Sequence, residues 1–254
     1  MNHGQVTVLH GREGEPVRLL RGAGDARIVV GPATGARHRS MCVVRLEPGS
    51  STIDLRHPSE AVWYVAAGHG RAVPGDGASA LVLEPGAMVH IGPQTGYAIT
   101  ADAGEALELI GGPAPPDPTL AQPGPDAPSE GAVRLFHRDR PALRVPLISS
   151  DARLVVFPAV GAQTANMNYV RLAAGEENTA HRHPESEDTI AILSGRGTVD
   201  DLTNGVTLEF EAGDLIHVPV GLEHRVKADR GVGVESVGGP CPPDSAMLRL
   251  AQEP

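Results

Sequence analysis

The chain has 254 residues, 41% of them hydrophobic, which is enough for one large domain or two of ordinary size. Its 31 acidic and 21 basic residues give a formal net charge of -10, which disfavours nucleic acid and anionic membrane surfaces as partners. No apolar run approaches the roughly 20 residues of a membrane-spanning helix, so we expect a cytoplasmic protein without a membrane partner.

The first half of the chain is predicted to consist of short β-strands. Aliphatic and β-branched runs alternate there with Gly, Pro, Asn and Asp. The runs are VTVL, RIVV, MCVVRL, AVWYVA, ALVL and AMVHI, between residues 6 and 91. Such runs at roughly ten-residue spacing are typical of antiparallel strands in a sandwich or barrel. We therefore predict a small β-barrel in residues 1–112.

A proline-rich segment, PAPPDPTLAQPGPDAPSE, follows at residues 113–130. Proline lacks a backbone N–H and fixes φ, so this segment cannot continue a helix or a strand ladder. Pro-rich segments act as stiff, extended spacers. We predict that residues 113–130 link two domains.

The second half, residues 131–254, shows the same alternation. Its runs are RLVVF, NMNYVRL, TIAIL, GVTLEF and DLIHV, between residues 153 and 218. The dipeptide Asn204-Gly205 lies between two strand-like runs, which is a strong local signal for a β-hairpin. We predict a second β-barrel, so the fold class is all-β with two tandem barrels.

The two halves are copies of one unit. RIVVGPATGAR from Arg27 returns as RLVVFPAVGAQ from Arg153, and LIGGPAPPD from Leu109 returns as SVGGPCPPD from Ser236. A fixed repeat of this length indicates that one structural unit occurs twice. Each position of the first barrel can therefore be compared with its counterpart in the second.

The segment HRHPESED, residues 181–188, is the strongest candidate for a metal site. On a strand, His181 and His183 share one face because side chains alternate. A carboxylate follows Pro184, and His224 stands after a predicted turn at Pro219 and Gly221. Three imidazoles and one carboxylate suit Fe, Mn, Ni, Co or Cu, with Zn also able to bind such donors.

These residues carry a family resemblance. GEENTAHRHPESEDTIAILSG, residues 175–195, resembles the first cupin motif, G-x5-H-x-H-x3or4-E-x6-G. GDLIHVPVGLEHRVKA, residues 213–228, resembles the second motif, with Ala228 where the family has asparagine. Together with the repeat, the chain resembles bicupins, which implies two jelly-roll-like barrels and one divalent metal ion in the second.

The carboxylate ligand is left open by the motif spacing. Asp188 satisfies the spacing from His183 and to Gly195, whereas Glu187 has the residue type of the family motif. Neighbouring strand residues face opposite sides, so we expect only one of them to point inward. If Glu187 is not the ligand, it is a candidate catalytic base.

The first copy lacks most of this site. Leu55 stands opposite His181, Ala61 opposite Asp188, and Tyr97 opposite His224. The remaining pair, His57 and Glu60, offers too few donors to hold a divalent ion firmly. We predict a degenerate, metal-free first barrel, which has a structural role or binds a ligand in an apolar pocket.

Four further residues near the motifs are assigned supporting roles rather than metal binding. Asn168 and Tyr169 replace Cys42 and Val43 of the first copy, so we predict that they contact substrate or support the ligands. Asn166 belongs to the same strand. His217 recurs in the first copy, which indicates a scaffold role.

The resemblance implies a metal-dependent enzyme that acts on a small organic molecule. Cupins with three histidines and one carboxylate include dioxygenases, so an oxidoreductase of this type is our first expectation. The alternatives are a non-redox isomerase, cyclase or decarboxylase, and a non-catalytic binding protein. The expected partner is a small-molecule substrate rather than nucleic acid, and the resemblance is compatible with a homodimer.

Overall fold

The structure is a computed structural model that describes residues 4–117, 131–146 and 148–244. These residues form β-strands, connecting turns and two short 3₁₀ helices at Pro32–Thr34 and Pro158–Val160. The described part of the chain contains no helix that is long and apolar enough to cross a membrane. The predicted all-β class is confirmed.

The described residues of the first half form twelve strands. They are β1 (Thr7–His10), β2 (Glu15–Pro16), β3 (Leu20–Arg21), β4 (Gly24–Val30), β5 (Met41–Leu46), β6 (Ser51–Thr52), β7 (Glu60–Ala67), β8 (Gly70–Pro74), β9 (Leu81–Leu83), β10 (Ala87–Ile91), β11 (Tyr97–Ala101) and β12 (Leu107–Ala114).

The described residues of the second half form ten strands. They are β13 (Val133–His137), β14 (Leu143–Arg144), β15 (Asp151–Val156), β16 (Met167–Leu172), β17 (Glu187–Ser194), β18 (Arg196–Asp201), β19 (Val206–Glu211), β20 (Asp214–Val218), β21 (His224–Ala228) and β22 (Val234–Cys241). β18 and β19 form the hairpin that Asn204-Gly205 predicts, with Asp201 opposite Val206 and four residues in the loop.

Each half forms a barrel from one large and one small antiparallel sheet. The first barrel has sheets in the order β13-β10-β7-β12-β5-β4-β2 and β3-β6-β11-β8-β9. The second has sheets in the order β1-β20-β17-β22-β16-β15-β14 and β19-β18-β21. Alternate side chains of both sheets face each barrel interior, as Trp63 and Ile99 do in the first and Ile216 and Val226 in the second.

Each barrel takes one strand from the other half of the chain. β1 pairs with β20 of the second barrel, with Thr7 opposite His217 and His10 opposite Asp214. β13 pairs with β10 of the first barrel in the equivalent way. The exchange covers a sheet edge in each barrel, where unpaired backbone groups would otherwise remain.

The two large sheets also pack against each other. Buried side chains of both halves meet in one cluster, including Val62, Tyr64 and Met88 from the first and Met167 and Leu215 from the second. The barrels therefore share an apolar interface as well as strands. The division into residues 1–112, 113–130 and 131–254 remains a prediction, and residues 118–130 of the predicted linker lie outside the described part.

Candidate metal centre

Three short segments bring His181, His183, Asp188 and His224 together inside the second barrel. His224 is the first residue of β21 and forms an isolated antiparallel bridge with His181. Their backbones exchange two hydrogen bonds, of 3.1 and 2.9 Å. His183 follows two residues later, and Asp188 is the second residue of β17. Residues distant in sequence thus reach one point because two hairpins face each other.

The four side chains offer one compact set of donor atoms. One ligand atom from each lies within 4.8 Å of all the others. His183 Nε2 and His224 Nε2 lie 3.6 and 3.5 Å from Asp188 Oδ2. His183, Asp188 and His224 are buried, and His181 is partly exposed. The set matches the mixed nitrogen and oxygen donors of a transition-metal site.

The inner atoms of this set lack other partners. Among the described residues, no group donates to or accepts a hydrogen bond from His183 Nε2, His224 Nε2 or Asp188 Oδ1, although all three atoms are buried. Buried polar atoms without partners are costly and require an explanation. A cation bound between them would satisfy all three, so the residues present fit a metal ion.

The outer ring nitrogens explain how the imidazoles are oriented. His183 Nδ1 lies 2.8 Å from Asp244 Oδ2, and His181 Nδ1 lies 2.7 Å from the Thr179 carbonyl oxygen. His224 Nδ1 faces the Leu222 carbonyl oxygen at 3.3 Å. Since these oxygens only accept, each Nδ1 carries a proton, which leaves each Nε2 facing the centre.

The electrostatic environment shifts the pKa values of His181 and His183 in opposite directions. Burial and the two neighbouring imidazoles lower the pKa of His181 to about 4. Burial alone would also lower the pKa of His183, but the carboxylates of Asp188 and Asp244 raise it to about 9. Burial would raise the pKa of Asp188, yet His183 and His224 hold it well below its ordinary value. Asp188 therefore carries a negative charge at the centre.

Glu187 lies elsewhere, which corrects its two expected roles. Its carboxylate accepts hydrogen bonds of 2.8 to 2.9 Å from the backbone N–H groups of Arg37 and His38. Its side chain faces His217, with Nε2 of that ring 3.8 Å away. Alternation along β17 sends Glu187 and Asp188 to opposite sides. Glu187 therefore belongs neither to the ligand set nor to the cavity, and His217 lies with it.

The side chains of Asn168 and Tyr169 also lie on opposite faces of their strand, β16. Asn168 lines the cavity beside the histidines. Tyr169 faces the interface between the barrels, and its ring lies 5.0 and 4.8 Å from the guanidinium carbons of Arg138 and Arg153. Tyr169 therefore cannot contact a molecule in the cavity, which corrects its expected catalytic role.

A cavity of about 80 Å³ opens beside three of the candidate ligands, His181, His183 and Asp188. Its walls are mainly aliphatic, with side chains from Val145, Ile148, Leu154, Val170, Ile190 and Val226. Polar groups reach it from Asn166, Asn168, Asn178 and Ser236. A mostly apolar pocket with few polar groups is the usual form of a small-molecule site.

The first barrel replaces this centre with a closed hydrogen-bond network. His57 occupies the position of His183 and binds the Asp117 carboxylate at 2.8 Å, as His183 binds Asp244. Its Nε2 lies 2.9 Å from the Tyr97 hydroxyl, which also accepts a hydrogen bond from Trp63 Nε1. The tyrosine thus fills the place that His224 has in the second barrel.

Sequence reasoning missed Asp244 and its counterpart Asp117. Both close the repeated segment GGPxPPD, in which the final acid is identical in the two copies. That identity was a signal, but only the folded chain shows that each acid binds a histidine about 60 positions earlier. Arg39 was also missed. It is fully buried and donates to the Asn166 carbonyl oxygen across the barrel interface.

Comparison with known families identifies the domain type. The model of the family described as Cupin domain matches residues 168–233, which contain all four candidate ligands. The second barrel therefore contains a cupin domain. The two barrels, the exchange of strands and the position of the histidine cluster agree with this assignment.

Curated relatives match parts of this cupin. A germin-like protein, subfamily T member 2, of Arabidopsis thaliana is 33% identical over 78 residues, which are 30% of this chain and 36% of the relative. Polyketide synthase CurC of Streptomyces cyaneus is 33% identical over 86 residues, 34% of this chain and 53% of the relative. The chain thus spans about a third to a half of these relatives.

Solved structures resemble the chain over nearly its whole length. The oxalate decarboxylase of Lactobacillus farciminis, in a formate complex, superimposes with a TM-score of 0.72 at 16% identity, covering 96% of this chain and 87% of that one. The protein Ylba of E. coli gives 0.69 at 16% identity, covering 95% and 93%. At such identities the likeness establishes the fold alone.

Proposed function

We propose that the second barrel binds one divalent transition-metal ion through His181, His183, Asp188 and His224, and that the protein uses it to transform a small organic molecule. The observation that carries the proposal is the set of four convergent donors whose inner atoms lack other partners. The ion is Fe, Mn, Ni, Co or Cu, because mixed imidazole and carboxylate donors suit these metals. Zn is a further candidate.

The proposed reaction is a dioxygenation. A redox-active ion in this donor set would supply oxygen chemistry that protein side chains cannot perform. The chain would hold the reacting molecule between aliphatic walls and exclude bulk water. Asn168 would orient it by hydrogen bonding from one side of the cavity.

The small number of ionisable groups in the cavity supports a reaction that the metal ion, rather than a protein acid or base, would carry out. Among the described lining residues, the ionisable groups are His181, His183, Asp188 and Asp244, and Asp244 is engaged with His183. With Glu187 facing Arg37 and His38, the described residues offer no separate carboxylate or imidazole as a general base. A reaction whose difficult step belongs to the ion needs less proton transfer from the protein.

A non-redox reaction is the second candidate. The same ion could polarise a carbonyl as a Lewis acid for cyclisation, isomerisation or decarboxylation. The observation that favours it is the relative named polyketide synthase CurC, whose matching segment has 33% identity to this chain. The aliphatic cavity is compatible with a carbonyl-rich, weakly polar substrate.

Metal content tests the proposal directly. Protein purified without added metal is analysed by elemental mass spectrometry beside His224→Ala and His57→Gln. We expect near one equivalent of a transition metal in the wild type, below about a tenth in His224→Ala, and no change in His57→Gln. His57 is the matched control because it occupies the position of His183 in the first barrel.

Oxygen consumption then separates the two reactions. If the bound ion is Fe, Mn, Ni, Co or Cu, oxygen uptake is measured with phenolic and diketone compounds. Uptake that is lost in His224→Ala supports the dioxygenase. Product formation without oxygen uptake supports the Lewis-acid reaction. A wild type that binds no metal, even after metal is added, contradicts both.

A further inference from the structure

The composition of the cavity wall restricts the charge of the molecule that binds. Among the described residues that line it, no Lys or Arg is present. The described acids are Asp188 and Asp244, so a divalent ion at the centre brings the local formal charge to zero. A small dianion would find no cationic side chain to offset its desolvation.

The amide side chains show what the site does recognise. Asn166 is 3% exposed, and its Nδ2 donates a 3.1 Å hydrogen bond to the Pro240 carbonyl oxygen. This bond fixes the orientation of the amide, because only the nitrogen can donate. Asn166 Oδ1 is therefore an acceptor, and it has no partner among the described residues.

Asn168 lies two residues further along the chain, in β16. It also lines the cavity, and its Oδ1 is buried without a described partner. A Cβ added at Gly239 would lie 2.6 Å from Asn168 Nδ2 and 3.3 Å from Asn166 Nδ2. The glycine thus leaves room for both amides. Buried acceptors need hydrogen-bond donors, and a ligand in the cavity could supply donors to both amide oxygens.

From these observations, and on the basis of the proposed function, we infer that the substrate is an uncharged, mainly apolar molecule that carries a hydroxyl group. Its hydroxyl hydrogen, phenolic or enolic, bonds to Asn166 Oδ1 or Asn168 Oδ1. Its hydrocarbon part contacts Val145, Leu154 and Ile190. Small dicarboxylates are excluded from the substrate class.

Four matched probes test this selectivity by isothermal titration calorimetry on the wild-type chain. They are 3-methylphenol, its methyl ether 3-methylanisole, 3-methylbenzoate and oxalate. We expect 3-methylphenol to bind about tenfold more tightly than the ether, which cannot donate a hydrogen bond. We expect both anions to bind more weakly than the phenol. Equal affinity for phenol and ether, or tightest binding of either anion, overturns the inference.

Two variants test whether the amides of Asn166 and Asn168 cause the preference for the phenol over its ether. Asn166→Ala, with Asn168→Ala as a second variant in case the first does not fold, is expected to reduce the phenol-to-ether ratio from about ten to below about three. Ser236→Ala is the matched control, since its hydroxyl lines the same cavity and already faces the Val170 carbonyl oxygen. An unchanged ratio in both asparagine variants contradicts the inference.

Metal content measured on the same samples separates this inference from the proposed function. Selective, asparagine-dependent phenol binding in a chain that takes up no metal refutes the proposed function and retains the ligand class. Metal binding without phenol selectivity refutes the ligand class and retains the metal centre.

Discussion

The carboxylates of Glu60 and Glu187 each accept backbone N–H hydrogen bonds from a loop of the opposite barrel. Glu60, the first residue of β7, binds the N–H groups of Gln163, Thr164 and Ala165 at 2.6 to 2.9 Å. Glu187, the first residue of β17, binds those of Arg37 and His38. The two acids occupy the same position of the repeat. Each barrel therefore contributes one carboxylate that accepts hydrogen bonds from a loop of the other barrel.

Removal of either charge should weaken the interface between the barrels. Glu60→Gln is expected to lower the free energy of unfolding by about 2 to 3 kcal/mol, because a neutral amide replaces a buried carboxylate that accepts several hydrogen bonds. Urea unfolding followed by circular dichroism measures the change. Glu108→Gln, at an exposed acid paired with Arg45, is the control with little expected effect. Equal effects of the two variants would contradict the interface role.

The lowered pKa of Glu60 predicts that the free energy of unfolding depends on pH. Burial raises the pKa of Glu60, but His90 and the N–H groups of Ala165, Thr164 and Gln163 outweigh it and lower the value from 4.5 to about 2. A depressed pKa in the folded state adds stability above about pH 4.5 that is lost as the pH falls towards 2.

Acid titration of the unfolding free energy measures this contribution. The wild type should lose stability between pH 4.5 and 2 more steeply than Glu60→Gln, by about 3 kcal/mol over the whole interval. Parallel curves for the two proteins would show that Glu60 titrates normally in the folded chain.

Asp244 should position His183 for metal binding without contacting the ion. Asp244→Asn is expected to reduce metal affinity by about 10- to 100-fold, because a weaker acceptor no longer fixes the ring and its tautomer. Competition with a chelator gives the affinity. Asp117→Asn is the matched control, since it changes the equivalent pair in the first barrel, and it should leave metal affinity unchanged. A similar loss in both variants would indicate a general effect on folding.

Metal affinity should rise with pH below about 9. His183 has a pKa raised to about 9 by its two carboxylate neighbours, so it is protonated at neutral pH before metal binds. His181, with a pKa of about 4, is already neutral. Binding therefore displaces the His183 proton, and affinity for Co²⁺ should increase about tenfold per pH unit between pH 6 and 8. A flat profile would mean that His183 is neutral in the metal-free protein.

The exchanged strand β1 should stabilise the barrel that contains the metal site. Deletion of residues 1–12 removes the partner of β20 and leaves its backbone N–H and C=O groups unpaired at a sheet edge. We expect a melting temperature lowered by several degrees and concentration-dependent aggregation, measured by thermal unfolding and light scattering. Deletion of residues 1–5 keeps β1 and is the control. Equal melting temperatures for the two deletions would show that β1 contributes nothing.

Much of the fold was predictable from local sequence pattern. Runs such as MCVVRL and AMVHI coincide with β5 and β10, because most positions of both strands are buried and β-branched and aliphatic residues favour strands that pack on a core. The repeat established that the second half has the architecture of the first. The three histidines of the candidate centre were also identified, since His181, His183 and His224 belong to recognisable motifs.

The assignment of side chains to opposite faces depended on strand register. The sequence left Asp188 and Glu187 as alternatives, and it grouped Asn168 with Tyr169. A shift of one residue exchanges the two faces of a strand, and register is set by pairing with distant strands. In the folded chain, Asp188 lies opposite Val218 and Asn168 opposite Gly238, which places both on the cavity side.

The sequence by itself determined the all-β class, the duplication and the histidines of the candidate centre, because these depend on local periodicity and short spacings. Only the tertiary structure decided which carboxylate joins them, that Asp244 orients His183, and that each barrel borrows a strand from the other. These relationships include pairs as distant in sequence as Asp188 and His224, His183 and Asp244, and Thr7 and His217. No local pattern encodes such contacts, since they form only when the two sheets pack together.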